Sequence, residues 1–383
     1  MGGYAVAFLV ALGVTLAVMP FVRRLAIRAG AVVPPNPHGI HTRPMVSLGG
    51  AGMFMGFVVA MAVASQIPQF HEMFNGSSEP LGVMLAAAVM FAVGALDDLR
   101  DVSPPAKIAG MVLAGGVLSL FGVQMLFFRV PFLLNDTVVL SADLAPVVTV
   151  LMVVLFANAI NLIDGLDGLA GGICAIAGTA LFLYSDRLFK NGFLEGSNLA
   201  PLIAVIAVGV CLGFLPYNWH PARIMMGDAG ALFLGLLMAV TTITIGGRAD
   251  YQYSGVTYFF FAPLFIPFVI LGVPIIDTAF SFLRRLIKRR SFAVADKEHL
   301  HHRLMRLGHG PRRTVAILWL WTALLSGVAL IPTYTDQGNA LVPLVIFALA
   351  LLLYGFFFPR RGDWEYELEL TSSVGVGSEK KKA

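Results

Sequence analysis

The stretch NAINLIDGLDGLAGG (Asn158–Gly172) sets two amides and two carboxylates within ten residues, between apolar runs at Ala145–Ile160 and Leu169–Tyr184. Buried carboxylates need partners, and charges at a membrane edge are costly enough to be functional by default. The stretch therefore reads as the junction of two membrane-spanning helices. Composition agrees: of 383 residues, 58% are hydrophobic and 13% charged, against roughly 45–50% and 25% in soluble domains. That gives about 222 apolar residues, and at roughly 20 per span there is material for about eleven spans. A water-soluble fold is excluded. Only the end from Thr371, with Lys380, Lys381 and Lys382, reads as a tail.

Apolar runs place the spans at Tyr4–Val22, Ser47–Ile67, Leu81–Leu96, Ile108–Phe121, Ala145–Ile160, Leu169–Tyr184, Ala200–Tyr217, Ala231–Ile245, Tyr258–Phe282, Thr314–Ile331 and Leu341–Phe358. The expected architecture is an all-α polytopic membrane protein: one integral-membrane domain over 1–358 and a cytoplasmic C-terminal tail over 359–383. Basic residues set its orientation. With the N-terminus outside, the inner segments hold 22 of the 26 lysines and arginines, leaving Arg129, Arg187, Lys190 and Arg248 outside. The C-terminus is then cytoplasmic. In the outer loop Val123–Leu144, Val138-Val139-Leu140 follows the turn-prone pair Asn135-Asp136, which predicts a small periplasmic β-hairpin. The first run has no basic stretch before it and no small-residue cleavage site after it, so it reads as a retained span. Cys174 and Cys211 lie in apolar runs and offer neither a disulfide framework nor a thiolate metal site. A net charge of +4 gives no reason to expect a nucleic-acid partner.

The acidic residues gather on one side. GALDDLRD puts Asp97 and Asp98 at the inner end of the third span, Asn158, Asn161, Asp164 and Asp167 follow the fifth, and PYNWHPARIMMGDAG carries Asn218, Arg223 and Asp228. The basic loop after the ninth span carries His299, His301 and His302. A transport path would need polar groups at membrane depth with access from both faces; this pattern is a one-sided catalytic surface. Five carboxylates would repel one another unless cations sit among them. Oxygen-rich sites suit hard divalent ions, and Mg²⁺ is usually held by one or two carboxylates together with substrate phosphates. A diphosphate substrate follows, and phosphoryl transfer asks for this kind of positioning and charge neutralisation. Arg43, Lys107, Arg223 and Arg303 supply the basic side chains. GxxxxGK[ST] is absent, so an ATPase reading fails. Bland readings stand beside these: Asp97-Asp98 as a solvated helix end, Asp228 as a helix cap, and the histidines as surface residues or a zinc site.

Four ordered blocks, HTRPMVSLGG, DDLRD with Lys107, NAINLIDGLDGLAGG through MMGDAG, and HLHHRL, resemble the polyprenyl-phosphate N-acetylhexosamine-1-phosphate transferase superfamily over roughly His41 to Leu330. The resemblance implies that Asp97 and Asp98 are essential carboxylates at the reacting phosphates, with Asp228 a Mg²⁺ ligand that Asp97 assists and Mn²⁺ a substitute ion. It implies that Asn158, Asn161, Asp164 and Asp167 bind nucleotide and diphosphate, with Asp164 toward uracil, that Lys107 contacts phosphate, and that His299, His301 and His302 form the histidine motif. The loop His-Leu-His-His-Arg-Leu is similar to the branch that transfers N-acetylglucosamine-1-phosphate from UDP-N-acetylglucosamine to undecaprenyl phosphate, in the bacterial cytoplasmic membrane, for a cell-envelope polysaccharide. It differs from the three consecutive histidines of the peptidoglycan translocase. The phospho-N-acetylmuramoyl-pentapeptide reaction is one alternative, and a cation-coupled transporter is the alternative of another class. A homodimer is compatible with the resemblance.

Overall fold

The computed structural model describes residues 2–33, 44–129, 137–194, 197–246, 265–287, 300, 304–305, 307–335, 346–348 and 350–351. The chain is mostly helical: α1 (Gly2–Arg28), α2 (Gly49–Ala64), α3 (His71–Asn75), α4 (Glu79–Arg100), α5 (Pro104–Leu120), α6 (Leu144–Ile163), α7 (Leu169–Lys190), α8 (Ala200–Asn218), α9 (Gly227–Gly246), α10 (Phe265–Ile270), α11 (Gly272–Ile287) and α12 (Pro311–Thr335). Two short antiparallel ribbons join them. β1 (Val32–Val33) pairs with β2 (Met45–Val46), and β3 (Phe127–Arg129) pairs with β4 (Thr137–Val139) inside the 123–144 loop.

Among the described residues seven helices, α1, α4, α6, α7, α8, α9 and α12, are long and apolar enough to cross a membrane. This is a polytopic, multi-pass architecture. The four other apolar runs fall short of that length among the described residues. Pro68 ends the Ser47–Ile67 run: the residue before a proline is driven to extended backbone, as Ile67 is at φ −84°, ψ 124°, and the following turn leaves α2 at 91°. Counting that bent pair as one span gives eight. α5 has 17 residues, and the described part of Tyr258–Phe282 is two helices meeting at Leu271. Most of Leu341–Phe358 lies outside the described residues.

α9 is the axis of the fold. Every residue from Ala229 to Gly246 is buried, which suits a helix that is apolar all round. It packs against α2, α4, α6 and α8. In lipid, where apolar surface alone does not drive helices together, close backbone approach and good packing take over. A Cβ on Gly50 of α2 would lie 2.1 Å from the Gly230 nitrogen, and one on Gly94 of α4 would lie 2.4 Å from the Asp228 carbonyl oxygen. These contacts bring the start of α2 and the end of α4 onto the first turn of α9. Hydrogen bonds from Gly49 and Gly50 N–H to the carbonyls of Met225 and Met226, both 2.9 Å, stitch the same place.

Candidate active site

The carboxylates meet where α4, α6 and α8 end and α5, α7 and α9 begin. Asp97, in the last turn of α4, accepts the Val102 N–H at Oδ1 (2.8 Å) and the Lys107 ammonium at Oδ2 (2.8 Å). Lys107 lies in the first turn of α5, three linking residues after α4, and it also donates to Asp228 Oδ2. Asn161, near the end of α6, donates to the other oxygen of Asp228 at 2.9 Å. One cation thus holds two carboxylates from distant parts of the chain, and an amide from a third element orients one of them. Asp97, Lys107 and Asp228 side chains keep 16%, 21% and 25% exposure, enough for a ligand to reach them.

Asp98 does something different. Its Oδ1 accepts the Asp228 N–H (3.0 Å) and the Ser47 hydroxyl (2.9 Å), and its Oδ2 accepts the Ala229 N–H (3.1 Å). The first amides of a helix have no intrahelical partner and favour a negative charge; here α4 supplies that charge to α9. The structure therefore separates the paired aspartates: Asp97 faces the half-buried cation, and Asp98 positions the turn that carries Asp228. The cap reading of Asp228 is corrected, because its own oxygens go to Lys107 and Asn161. The solvated-end reading of Asp97-Asp98 is corrected too, since both carboxylates are engaged. Gly227, at φ +70°, makes the approach fit: a Cβ there would lie 2.4 Å from Asp98 Oδ2 and 2.5 Å from Ser47 Oγ.

Asp164, just after α6, is half-buried with its carboxyl pushed up to about 8, by burial first and then by the negative charges of Asp228, Asp98 and Asp167. The site carries more negative charge than Lys107 neutralises.

Other expected residues have structural partners. Asp167 Oδ2 takes the Ala222 N–H (3.0 Å) and lies 2.8 Å from His220 Nδ1, while Asn218 accepts the Gly168 N–H (2.8 Å) and donates to the Ile224 carbonyl (3.0 Å). Together they fasten the α6–α7 turn to the α8–α9 loop. Asn158, one turn before Asn161 in α6, donates to the Val154 carbonyl (2.8 Å) and contacts Met111 Sδ (3.3 Å). Arg223 is exposed, and its carbonyl accepts from Arg23 Nε at 3.2 Å. Arg43, His299, His301, His302 and Arg303 lie outside the described residues. Ser47 and His220 were missed. Ser47 stood in the HTRPMVSLGG block as the polar residue just before the glycine pair, which was its signal; His220 had none beyond its neighbour Pro221. An apolar cleft walled by Leu166, Trp219, Val315 and Trp319 opens beside Asp167 and His220.

Among the described residues, no three His, Cys, Asp or Glu side chains form a ready metal cage. Two carboxylates converging on one cation do match how a hard divalent ion is held when substrate oxygens complete its shell.

Residues 80–246, which span α4 to α9, match the pattern of Glycosyl transferase family 4. The chain is 34% identical over 367 residues to decaprenyl-phosphate N-acetylglucosaminephosphotransferase of Mycobacterium tuberculosis H37Rv, covering 94% of this chain and 91% of that protein. It is 37% identical over 318 residues to the probable undecaprenyl-phosphate N-acetylglucosaminyl 1-phosphate transferase of Bacillus subtilis 168 (82% and 81%). With the undecaprenyl-phosphate alpha-N-acetylglucosaminyl 1-phosphate transferase of Escherichia coli K12 it shares 25% over 342 residues (89% and 87%). With its carboxylates gathered at one end of a polytopic bundle, and with relatives matched along nearly its whole length, the chain belongs to glycosyl transferase family 4, among the polyprenyl-phosphate sugar-1-phosphate transferases.

Proposed function

We propose that the chain transfers N-acetylglucosamine-1-phosphate from UDP-N-acetylglucosamine to undecaprenyl phosphate or a related polyprenyl phosphate, releasing UMP. The observation that carries the reading is the convergence of Asp97, Lys107, Asn161 and Asp228 from α4, α5, α6 and α9 on one half-buried point that a ligand can reach. A phosphate oxygen of the lipid forms a bond to the sugar-linked phosphorus of the donor, and the bond from that phosphorus to the UMP oxygen breaks. The attacking phosphate monoester, with a second pKa of about 6, is mostly ionised near neutrality, so no strong base is required of Asp97. Lys107 moves from its carboxylates toward the phosphoryl oxygens, where charge builds. Asn161 holds Asp228 in place, Asp98 and Ser47 hold its backbone, and Asp164 with Asp167 borders the nucleotide. The histidine motif His299, His301 and His302 is assigned to the reacting phosphates on the resemblance of the HLHHRL block. Asp228 with Asp97 would hold Mg²⁺, which supplies charge neutralisation for the departing UMP. The excess of basic residues in the segments on this side supports a site at the cytoplasmic face of the bacterial inner membrane.

Purified protein in lipid nanodiscs is expected to release UMP from UDP-N-acetylglucosamine with undecaprenyl phosphate present. Activity should vanish with EDTA and return with Mg²⁺ or, in part, Mn²⁺. Preference for UDP-N-acetylmuramoyl-pentapeptide would move the assignment to the translocase reaction. Ion flux without UMP release would indicate a transporter. Phosphorylated Asp97 after incubation with donor alone would replace direct attack by a two-step route.

Asp164 adds a pH dependence. Its folded value of about 8 lies above the ordinary 3.8, so its contribution to stability is complete below about pH 4 and is lost as pH rises through 8. The melting temperature without divalent ions should fall between pH 5 and 8. Mg²⁺ should raise it more at pH 8 than at pH 5, and Asp164→Asn should flatten both trends in a melting series.

A further inference from the structure

We infer that Lys107 makes loading of the divalent ion depend on the donor: its ammonium holds the carboxylate oxygens that the ion needs and releases them when a diphosphate is there to receive it. The inference deepens the transferase reading above and rests on it. Asp97 and Asp228 each have one oxygen tied to a neutral donor of the protein. Asp97 Oδ1 accepts the Val102 N–H (2.8 Å), and Asp228 Oδ1 accepts the Asn161 amide (2.9 Å). The remaining oxygen of each, Oδ2 in both cases, meets the same Lys107 Nζ.

A hard divalent ion held by both carboxylates would draw on that same pair of oxygens. An ammonium and a divalent ion sharing them repel at close range, and in a half-buried site that repulsion is stronger than in water. Lys107 must therefore swing away before the shell can close. Its backbone stays put, because it sits in the first turn of α5 behind Pro104 and Pro105 with its N–H on the Ser103 carbonyl (3.0 Å). Only the flexible four-carbon stem moves. With no diphosphate present, the displaced ammonium would give up two carboxylates and gain no anion, a costly exchange for a partly buried charge. With the donor present, phosphoryl oxygens take the ammonium over. Ion and donor thus strengthen each other's binding, and the coupling is reciprocal.

The test uses Mn²⁺ as the probe, with the free ion read by electron paramagnetic resonance on the full-length protein in phosphatidylcholine nanodiscs, so that no turnover is needed. Wild type should bind Mn²⁺ at least about 10-fold more tightly with saturating UDP-N-acetylglucosamine than without it. Lys107→Gln should bind Mn²⁺ alone about 10-fold more tightly than wild type does, and the tightening by donor should shrink by about the same factor. Arg100→Gln removes an exposed charge from the same last turn of α4 that carries Asp97, and it should change Mn²⁺ affinity less than about twofold. Mn²⁺ affinity in Lys107→Gln equal to or below that of wild type, a donor effect of undiminished size, or an equal gain in Arg100→Gln would overturn the inference. If Lys107→Gln does not fold, Lys107→Met keeps the apolar stem without the charge and takes its place in every arm. Should wild type release no UMP, the transferase reading fails by itself, and Mn²⁺ binding without nucleotide still decides whether Lys107 and the ion compete.

Discussion

Asp228→Asn is expected to lower kcat on the order of 10³-fold, the scale for removing one electrostatic element of a phosphoryl-transfer site, while leaving the melting temperature nearly unchanged. Asp228 joins Lys107 on one oxygen and Asn161 on the other. With an amide there, one oxygen still meets Asn161, but the amide nitrogen faces an ammonium and cannot accept from it. Lys107 then rests on Asp97 alone, and any divalent ion loses a carboxylate. The backbone N–H of residue 228 still reaches Asp98, so the start of α9 should hold. Steady-state UMP release with thermal unfolding on the same preparation checks both halves. A variant with more than a tenth of wild-type kcat would remove Asp228 from the chemistry.

Asp98→Ala should behave in the opposite way for stability. It strips the acceptor from the N–H groups of Asp228 and Ala229 and from Ser47. Losing a helix cap costs about 0.5–2 kcal/mol, and leaving buried donors unpaired adds roughly 1–3. The melting temperature should therefore fall, and kcat should fall about 100-fold because Asp228 is displaced from its working geometry. The shape of the pH–rate profile should stay that of wild type, since Asp98 positions and does not exchange a proton with substrate. Asp98→Asn should lie between, keeping one acceptor and opposing an N–H with the other atom. A profile that loses an ionisation in Asp98→Asn, with an unchanged melting temperature, would make Asp98 the base and dismiss the positioning role.

Much of the site was legible because charge in an apolar chain is conspicuous. Asp97, Asp98, Lys107, Asn161 and Asp228 were all identified as residues, and the fold brings these five into one hydrogen-bonded network. Their division of labour was not legible. Asp97 and Asp98 are neighbours of one type, and successive helix positions point about 100° apart, so only the packing of α9 against α4 decides which faces the cation. Asp167 and Asn218 were legible as polar groups of the site, but the hydrogen bonds by which they fasten the α6–α7 turn to the α8–α9 loop were not. Ser47 has only a weak signal, its place in the HTRPMVSLGG block, until its partner Asp98, 51 residues away, is known.

By itself the amino-acid sequence determined that this chain is a helical, multi-pass membrane protein and which residues carry its charge. Apolar content and charge cost are additive properties read residue by residue. Tertiary structure alone decided which helix lies at the centre, which carboxylate caps and which one faces a cation. Those outcomes depend on backbones meeting at Gly50, Gly94 and Gly227, and a close approach between distant segments is a property of pairs that no single position records.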